Sequence, residues 1–289
     1  GTPNRQVLLP NSKFPVQDSK ELQPVNIPAG TNQQFWITLK VPDDAVPGNY
    51  SGTITLKCEN QEIGSVPVAV NVLPIPLLNP YYTSSIYYKG ELGGSGSIGA
   101  GDYASSKNET QFRAEMINLK NHGVDNPPIH IWWDRKELDS SILRKTLEIR
   151  KELGLSNREL FVWGGMTGAP QTPEAIETLQ QQVRRVLDIT KEFGAEKVYF
   201  YGIDEAGKTV LQKERKAWQA VHDAGGLVYA STYSGENCFD TVGDLLDVNV
   251  VNGSPEKISA VPWHKSGKKL FNYGNPQCGV EKPLTYRRN

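Results

Sequence analysis

Two carboxylates stand side by side in the stretch YFYGIDEAG, residues 199–207: Asp204 and Glu205. Neighbouring side chains on a strand point to opposite faces. Both acids can serve one site only if the backbone turns where they stand. Carboxylates at a strand end offer general acid–base catalysis, or stabilisation of a developing positive charge. The plainer alternative is a solvated surface pair, or a negative charge favourable to the dipole of the following helix. Against it, the pair follows YFYGI directly and does not sit in the helix's first turn.

Most sugar hydrolases use two separated carboxylates, an acid and a nucleophile or base. A second acid at another strand end is not evident. VNVVNGS ends in Asn252, LFNYGNPQ offers Tyr273 and Asn275, Glu281 falls well past its strand, and Glu91 and Asp134 are unremarkable. An adjacent pair suits another chemistry, in which the 2-acetamido oxygen of the sugar attacks its own anomeric carbon. Glu205 would then protonate the leaving oxygen. Asp204 would accept the acetamido N–H and stabilise the cyclic cation. Tyr233, Asn252 and Tyr273 close other strands, where a hydroxyl or amide would meet the acetamido carbonyl. Trp132, Trp133 and Trp163 lie at or near strand ends, and each is either core or a platform for the apolar face of a sugar. Trp218 sits inside a helical pattern and reads as core.

Two regions position these groups. Residues 1–78 read as an all-β sandwich, with alternating stretches at 35–41, 50–58 and 63–75 between Pro, Gly and Asn turns. A Pro-rich connection, LPIPLLNP (73–80), follows. Residues 79–289 read as a (β/α) domain. Helices are predicted near 108–123, 140–154, 172–194 and 209–226, with Asn108 and Thr172 as N-caps and Pro173 in a first turn. Strands are predicted at 84–92, 129–133, 160–166, 197–205, 227–233, 248–253 and 269–275. Alternation of this kind implies right-handed crossovers and a parallel sheet, and favours a (β/α)8-type barrel over a doubly wound sheet. The chain stops before an eighth strand, so a partner chain or a missing segment is expected to complete the barrel. The opening GTPNRQ lacks Met and reads as the start of a trimmed chain.

A net charge of −1 argues against nucleic acid as a partner, and no stretch is apolar enough to span a membrane. The three cysteines are too scattered for a disulfide framework, and the four histidines lack metal-ligand spacing, so neither metal nor cofactor is expected. Gly94, Gly96 and Gly99 match G-x-G-x-x-G, but the next helix opens about ten residues later than a dinucleotide loop requires, which leaves a flexible loop over the site. NYS (49–51) and NET (108–110) match the glycosylation pattern, yet a turn and a helix cap explain both asparagines.

VPDDAVPGNYSGTITL (41–56), followed by a (β/α) region carrying YFYGIDEA on its fourth strand, resembles glycoside hydrolase family 123 and its relatives. The resemblance implies a β-N-acetylgalactosaminidase-type enzyme with substrate assistance, Asp204 orienting the acetamido group and Glu205 as general acid/base. Ala206 stands where those relatives often carry Pro. The expected protein is secreted or periplasmic, of bacterial type, and acts on a glycan with a β-linked N-acetylhexosamine. Its rivals are a conventional retaining glycosidase with a remote nucleophile, and a non-catalytic carbohydrate-binding scaffold.

Overall fold

A computed structural model describes residues 24–35, 37–76, 83–93, 106–134, 138–233, 238–252 and 257–273. The chain forms two compact units, Gly1–Tyr81 and Tyr82–Asn289.

In the first unit, β1 (Gly48–Cys58) and β2 (Gln61–Val72) form an antiparallel ribbon. Glu59 and Asn60 link them with φ of 48° and 69°, the left-handed pair that a two-residue hairpin turn requires. The stretch at 35–41 is a correction. Its described residues form no strand, and Phe35, Ile37, Leu39 and Val41 are exposed. Alternation assigns side chains to faces, but a ladder also needs a partner, and β1 and β2 pair with each other. Two strands stand among the described residues where a sandwich was expected.

The second unit begins with β3 (Glu91–Leu92) and β4 (Ser106–Lys107), a two-residue parallel pair, and α1 (Glu109–Asn121). Then follow β5 (Ile129–His130), α2 (Ser140–Glu152), β6 (Glu159–Trp163), α3 (Pro173–Glu192), β7 (Lys197–Tyr201) and α4 (Lys208–Asp223). The described elements end with β8 (Leu227–Tyr233), α5 (Cys238–Val242), β9 (Val248–Asn252), α6 (Lys257–Lys265) and β10 (Lys269–Tyr273). The Asn108 side chain accepts from Gln111 N at 2.8 Å and Thr172 Oγ1 from Ala175 N at 3.3 Å, so both predicted caps form.

β5 to β10 make one parallel sheet in sequence order. Each strand pairs with the next, so every crossover has the same sense and the sheet winds in one direction. Its faces differ. Leu160, Val162, Val198, Phe200, Val228 and Ala230 pack with helix residues such as Leu143, Leu147, Val183 and Trp218. Phe161, Tyr199, Tyr201, Tyr229 and Val248 form a second cluster with Trp163, Val250 and Phe271, built from strand residues alone. This aromatic face is concave. In a flat sheet β6 and β10 would lie about 19 Å apart, yet Lys269 Nζ meets Glu159 at 2.7 Å.

The predicted strand at 84–92 is a second correction, because pairing is confined to Glu91 and Leu92. Ser84 lies beside the approach to β5, its carbonyl accepting from Asn126 N at 3.1 Å and its own N–H reaching the Asp125 carboxylate at 2.7 Å. A side chain thus takes one of the bonds a ladder would use.

Arg150 anchors the entry to β5 and β6. It is 1 % exposed and donates to Asn157 Oδ1, Pro127 O, Asn126 Oδ1 and Ser156 O, with no carboxylate among these partners. Burial lowers its pKa to about 10, so it remains charged at neutral pH. Arg150→Met would leave four acceptors without their donor. It is expected to cost on the order of 3 kcal/mol, measured by urea unfolding.

Candidate active site

The acid pair occupies a bulge. Tyr201 is in register with Tyr229, and Ala206 with Thr232, so five steps along β7 and its extension match three along β8. Pairing is kept on both sides, with Gly202 N donating to Tyr229 O, Ser231 N to Ile203 O, and Ala206 N to Ser231 O at 3.4 Å. The two surplus residues frame Asp204 and Glu205, and Glu205 adopts a left-handed φ of 45°. The bulge breaks the alternation of the pleat, which is how adjacent acids come to serve one end of the sheet.

Different donors hold each acid. Tyr201 OH donates to Asp204 Oδ1 at 2.6 Å, leaving Oδ2 open to a ligand among the described contacts. Asn252 Nδ2 donates to Glu205 Oε1 at 2.8 Å, and Tyr273 OH donates to the same oxygen. Tyr233 OH is 3.4 Å from Oε2, and Ser231 Oγ donates to Tyr273 OH at 3.1 Å. Burial, helped by the bond to Glu205, pushes the Tyr273 hydroxyl up to about 12. Burial and the neighbouring Tyr87 and Asp204 push Tyr201 up as well. Both phenols are therefore donors throughout the neutral range.

Tyr87 enters this concave face from the irregular 83–90 segment. Its ring lies 5.4 Å from Trp163, 6.3 Å from Tyr201 and 6.0 Å from Tyr273. A cavity of 370 Å³, floored by Phe161, Tyr229, Val250 and Phe271, opens beside it.

Tyr233, Asn252 and Tyr273 thus gather around Glu205. Trp163 is half-buried on the same face, between Tyr87 and His130, with Lys89 Nζ 5.7 Å from its ring. Trp132 is exposed and meets His130 edge-on. Trp133 is corrected: it is fully buried, packs on Phe200 and donates to Gly165 O at 3.1 Å, because its side chain points to the helices. It is core, not a platform. Asn275 and the glycine-rich 94–100 stretch lie outside the described residues. Among the described residues no group of three His, Cys, Asp or Glu is placed to hold a metal, and no helix is long and apolar enough to cross a membrane.

Tyr87, Tyr201 and Ser231 were not singled out from the sequence. Parity offered a signal for two of them, since Tyr201 shares a strand face with Tyr199, and Ser231 lies two residues before Tyr233. Tyr87 had no comparable signal, because its segment joins no ladder at that point.

Residues 6–58 match the sequence model of the glycoside hydrolase 123 N-terminal domain. No curated protein matches the chain by sequence. In fold, the chain is similar to a family 123 glycoside hydrolase from Clostridium perfringens, studied for glycolipid glycan hydrolysis. Identity is 14 %, the TM-score is 0.55, and the likeness covers 81 % of this chain and 51 % of that one. The chain thus spans about half the length of that hydrolase. Two structures of sugar phosphate isomerase/epimerase from Parabacteroides distasonis align less well, at TM-scores of 0.37 and 0.38 and identities of 8 % and 10 %. They cover 61 % and 65 % of this chain and 88 % and 78 % of their own, a likeness too slight to argue from. The N-terminal segment thus resembles the N-terminal domain of glycoside hydrolase family 123, and the fold resembles that of a family 123 hydrolase over 81 % of this chain.

Proposed function

We propose that the chain is a glycosidase that cleaves a β-linked N-acetylhexosamine, N-acetylgalactosamine by family likeness, with the substrate's acetamido group as nucleophile. The observation that carries this is the bulge. It sets two adjacent carboxylates at one strand end and gives each its own donors. Asp204, with one oxygen held by Tyr201, turns the other to the acetamido N–H. This aims the acetamido oxygen at the anomeric carbon and stabilises the cyclic cation. Glu205, with Oε1 held by Asn252 and Tyr273, delivers a proton to the leaving oxygen from Oε2, then takes one from the incoming water. Trp163 and Trp132 supply aromatic faces for sugar rings. The winding order and the contact between β6 and β10 support a barrel. The ribbon of β1 and β2 is proposed as part of a sandwich that precedes it, with the boundary near residue 78. A secreted or periplasmic setting, where such glycans are met, belongs to the same proposal.

Paired aryl glycosides with acetamido or hydroxyl at C2 test the reading. Hydrolysis confined to the acetamido series, with strong inhibition by an N-acetylhexosamine-thiazoline, is the expected result. A fluorosugar adduct on Asp134 or another carboxylate would reveal an enzymic nucleophile. Inertness towards both series would leave a binding scaffold.

A further inference from the structure

Glu214 lies on α4, is 2 % exposed, and takes no part in the proposed reaction. It meets Thr167 in the loop after β6. Thr167 Oγ1 is 2.9 Å from the Gly202 carbonyl oxygen, 3.1 Å from Trp218 Nε1 and 3.2 Å from Glu214 Oε2. Proton counting constrains this group. The indole N–H can only donate and the carbonyl can only accept, while a threonine hydroxyl has one proton and two lone pairs. With that proton on Gly202, the shortest contact, Trp218 fills one lone pair of Thr167. The Glu214 contact is then a hydrogen bond only if Glu214 is its donor. An ionised Glu214 would compete with Gly202 for the single hydroxyl proton.

We infer that Glu214 is a protonated positioning residue: through Thr167 it fixes Gly202, two residues before Asp204, and so sets the bulge that presents Asp204 and Glu205. Gly202 is gripped from two further directions. Thr167 N donates to Tyr201 O at 3.1 Å and Gly202 O at 3.3 Å. A Cβ on Gly202 would come within 2.8 Å of Trp218 Nε1, so backbone and indole are in direct contact. Burial raises the Glu214 carboxyl to about 7, and a Thr167 hydroxyl turned to donate to the carboxylate instead of to Gly202 would oppose this. Of the elements packed against α4, α3 carries Glu174, Glu177, Arg184, Arg185, Asp188, Lys191 and Glu192, α5 carries Asp240, and β8 carries no charged side chain. None of them contributes to that shift. On α4 itself, Arg215 pairs with Asp244 and His222 with Asp247.

The positioning role rests on the glycosidase reading, but the protonation state does not. Trp218 donates to the same hydroxyl, so its indole N–H resonance reports on Glu214 without any substrate. In tryptophan-labelled wild type that resonance is expected to titrate near pH 7, and in Glu214→Gln, whose amide still donates, to stay constant. Stability follows the same sign. A carboxyl raised from 4.5 to about 7 contributes stability that is complete below pH 4.5 and lost as pH rises through 7. This loss is expected to be absent in Glu214→Gln. In activity, Glu214→Gln is expected to rescue kcat near pH 6 and to remove the decline through pH 7. Glu214→Ala and Thr167→Val are expected to lower kcat on the order of 10- to 100-fold with little change in KM, as for displaced catalytic groups. Identical indole and stability titrations in wild type and Glu214→Gln would overturn the protonated state. Full kcat in the folded Ala and Val variants would overturn the positioning role. Absence of hydrolysis by wild type, with the indole still titrating, would refute the glycosidase reading and leave the protonated Glu214 standing.

Discussion

Glu205→Gln is expected to lose about 10²- to 10⁴-fold in kcat/KM on glycosides with poor leaving groups, the range that general acid catalysis supplies. The effect should be selective. An activated aryl leaving group departs with little protonation, so its kcat/KM should fall far less. The measurement is kcat/KM across a series of aryl glycosides graded by leaving-group acidity, with a steeper dependence in the variant than in wild type. Gln can still accept from Asn252 and Tyr273 through its carbonyl oxygen, so the bulge should persist and the loss should be chemical. An equal loss on every member of the series would remove Glu205 from the role of acid.

Asp204→Asn is expected to behave differently. If Asp204 holds the acetamido N–H and balances the cyclic cation, the loss falls on ring closure itself. Good and poor leaving groups should then suffer alike, by about 10²- to 10³-fold, the scale of a lost charge-stabilising contact. Preference for 2-acetamido over 2-hydroxy substrates should shrink, and affinity for the thiazoline should fall in parallel with kcat/KM. Tyr201 can still donate to the Asn carbonyl, so folding should be spared. A variant that keeps its acetamido preference would make Asp204 a structural neighbour only.

The legible parts of this protein were those encoded by local chemistry. Asn108 and Thr172 announce helix starts because their side chains replace missing backbone partners nearby. The six strands β5 to β10 were readable because each carries a short β-branched or aromatic run between helical periods. The stretch at 35–41 and the segment at 84–92 misled because a strand is a relation between segments, and the partner is not written in the run itself. The acid pair was visible, and so was the need for the backbone to turn there, but the form of that turn was not. The bulge is defined against β8, so it appears only when Tyr201 is seen opposite Tyr229 and Ala206 opposite Thr232. Trp133 was misplaced for a related reason. Trp132 and Trp133 are equally aromatic, and only the facing of β5 decides which of them is buried.

The left-handed backbone at Glu205 also bears on how such a chain would change over evolutionary time. A non-glycine residue in that conformation costs about 1 kcal/mol or more, whereas Asn tolerates it better than most. Against that strain, Glu205 accepts from Asn252 and Tyr273, donors that the shorter side chain of Glu205→Asn would not reach. The two effects oppose one another, so that variant is expected to melt within about a few degrees of the native chain. Folding therefore holds glutamate at 205 only weakly, and under the proposed function the stronger demand on it is chemical. A descendant released from that demand would drift at this position early, while Arg150 and the buried aromatic core would be kept for as long as the chain still had to fold.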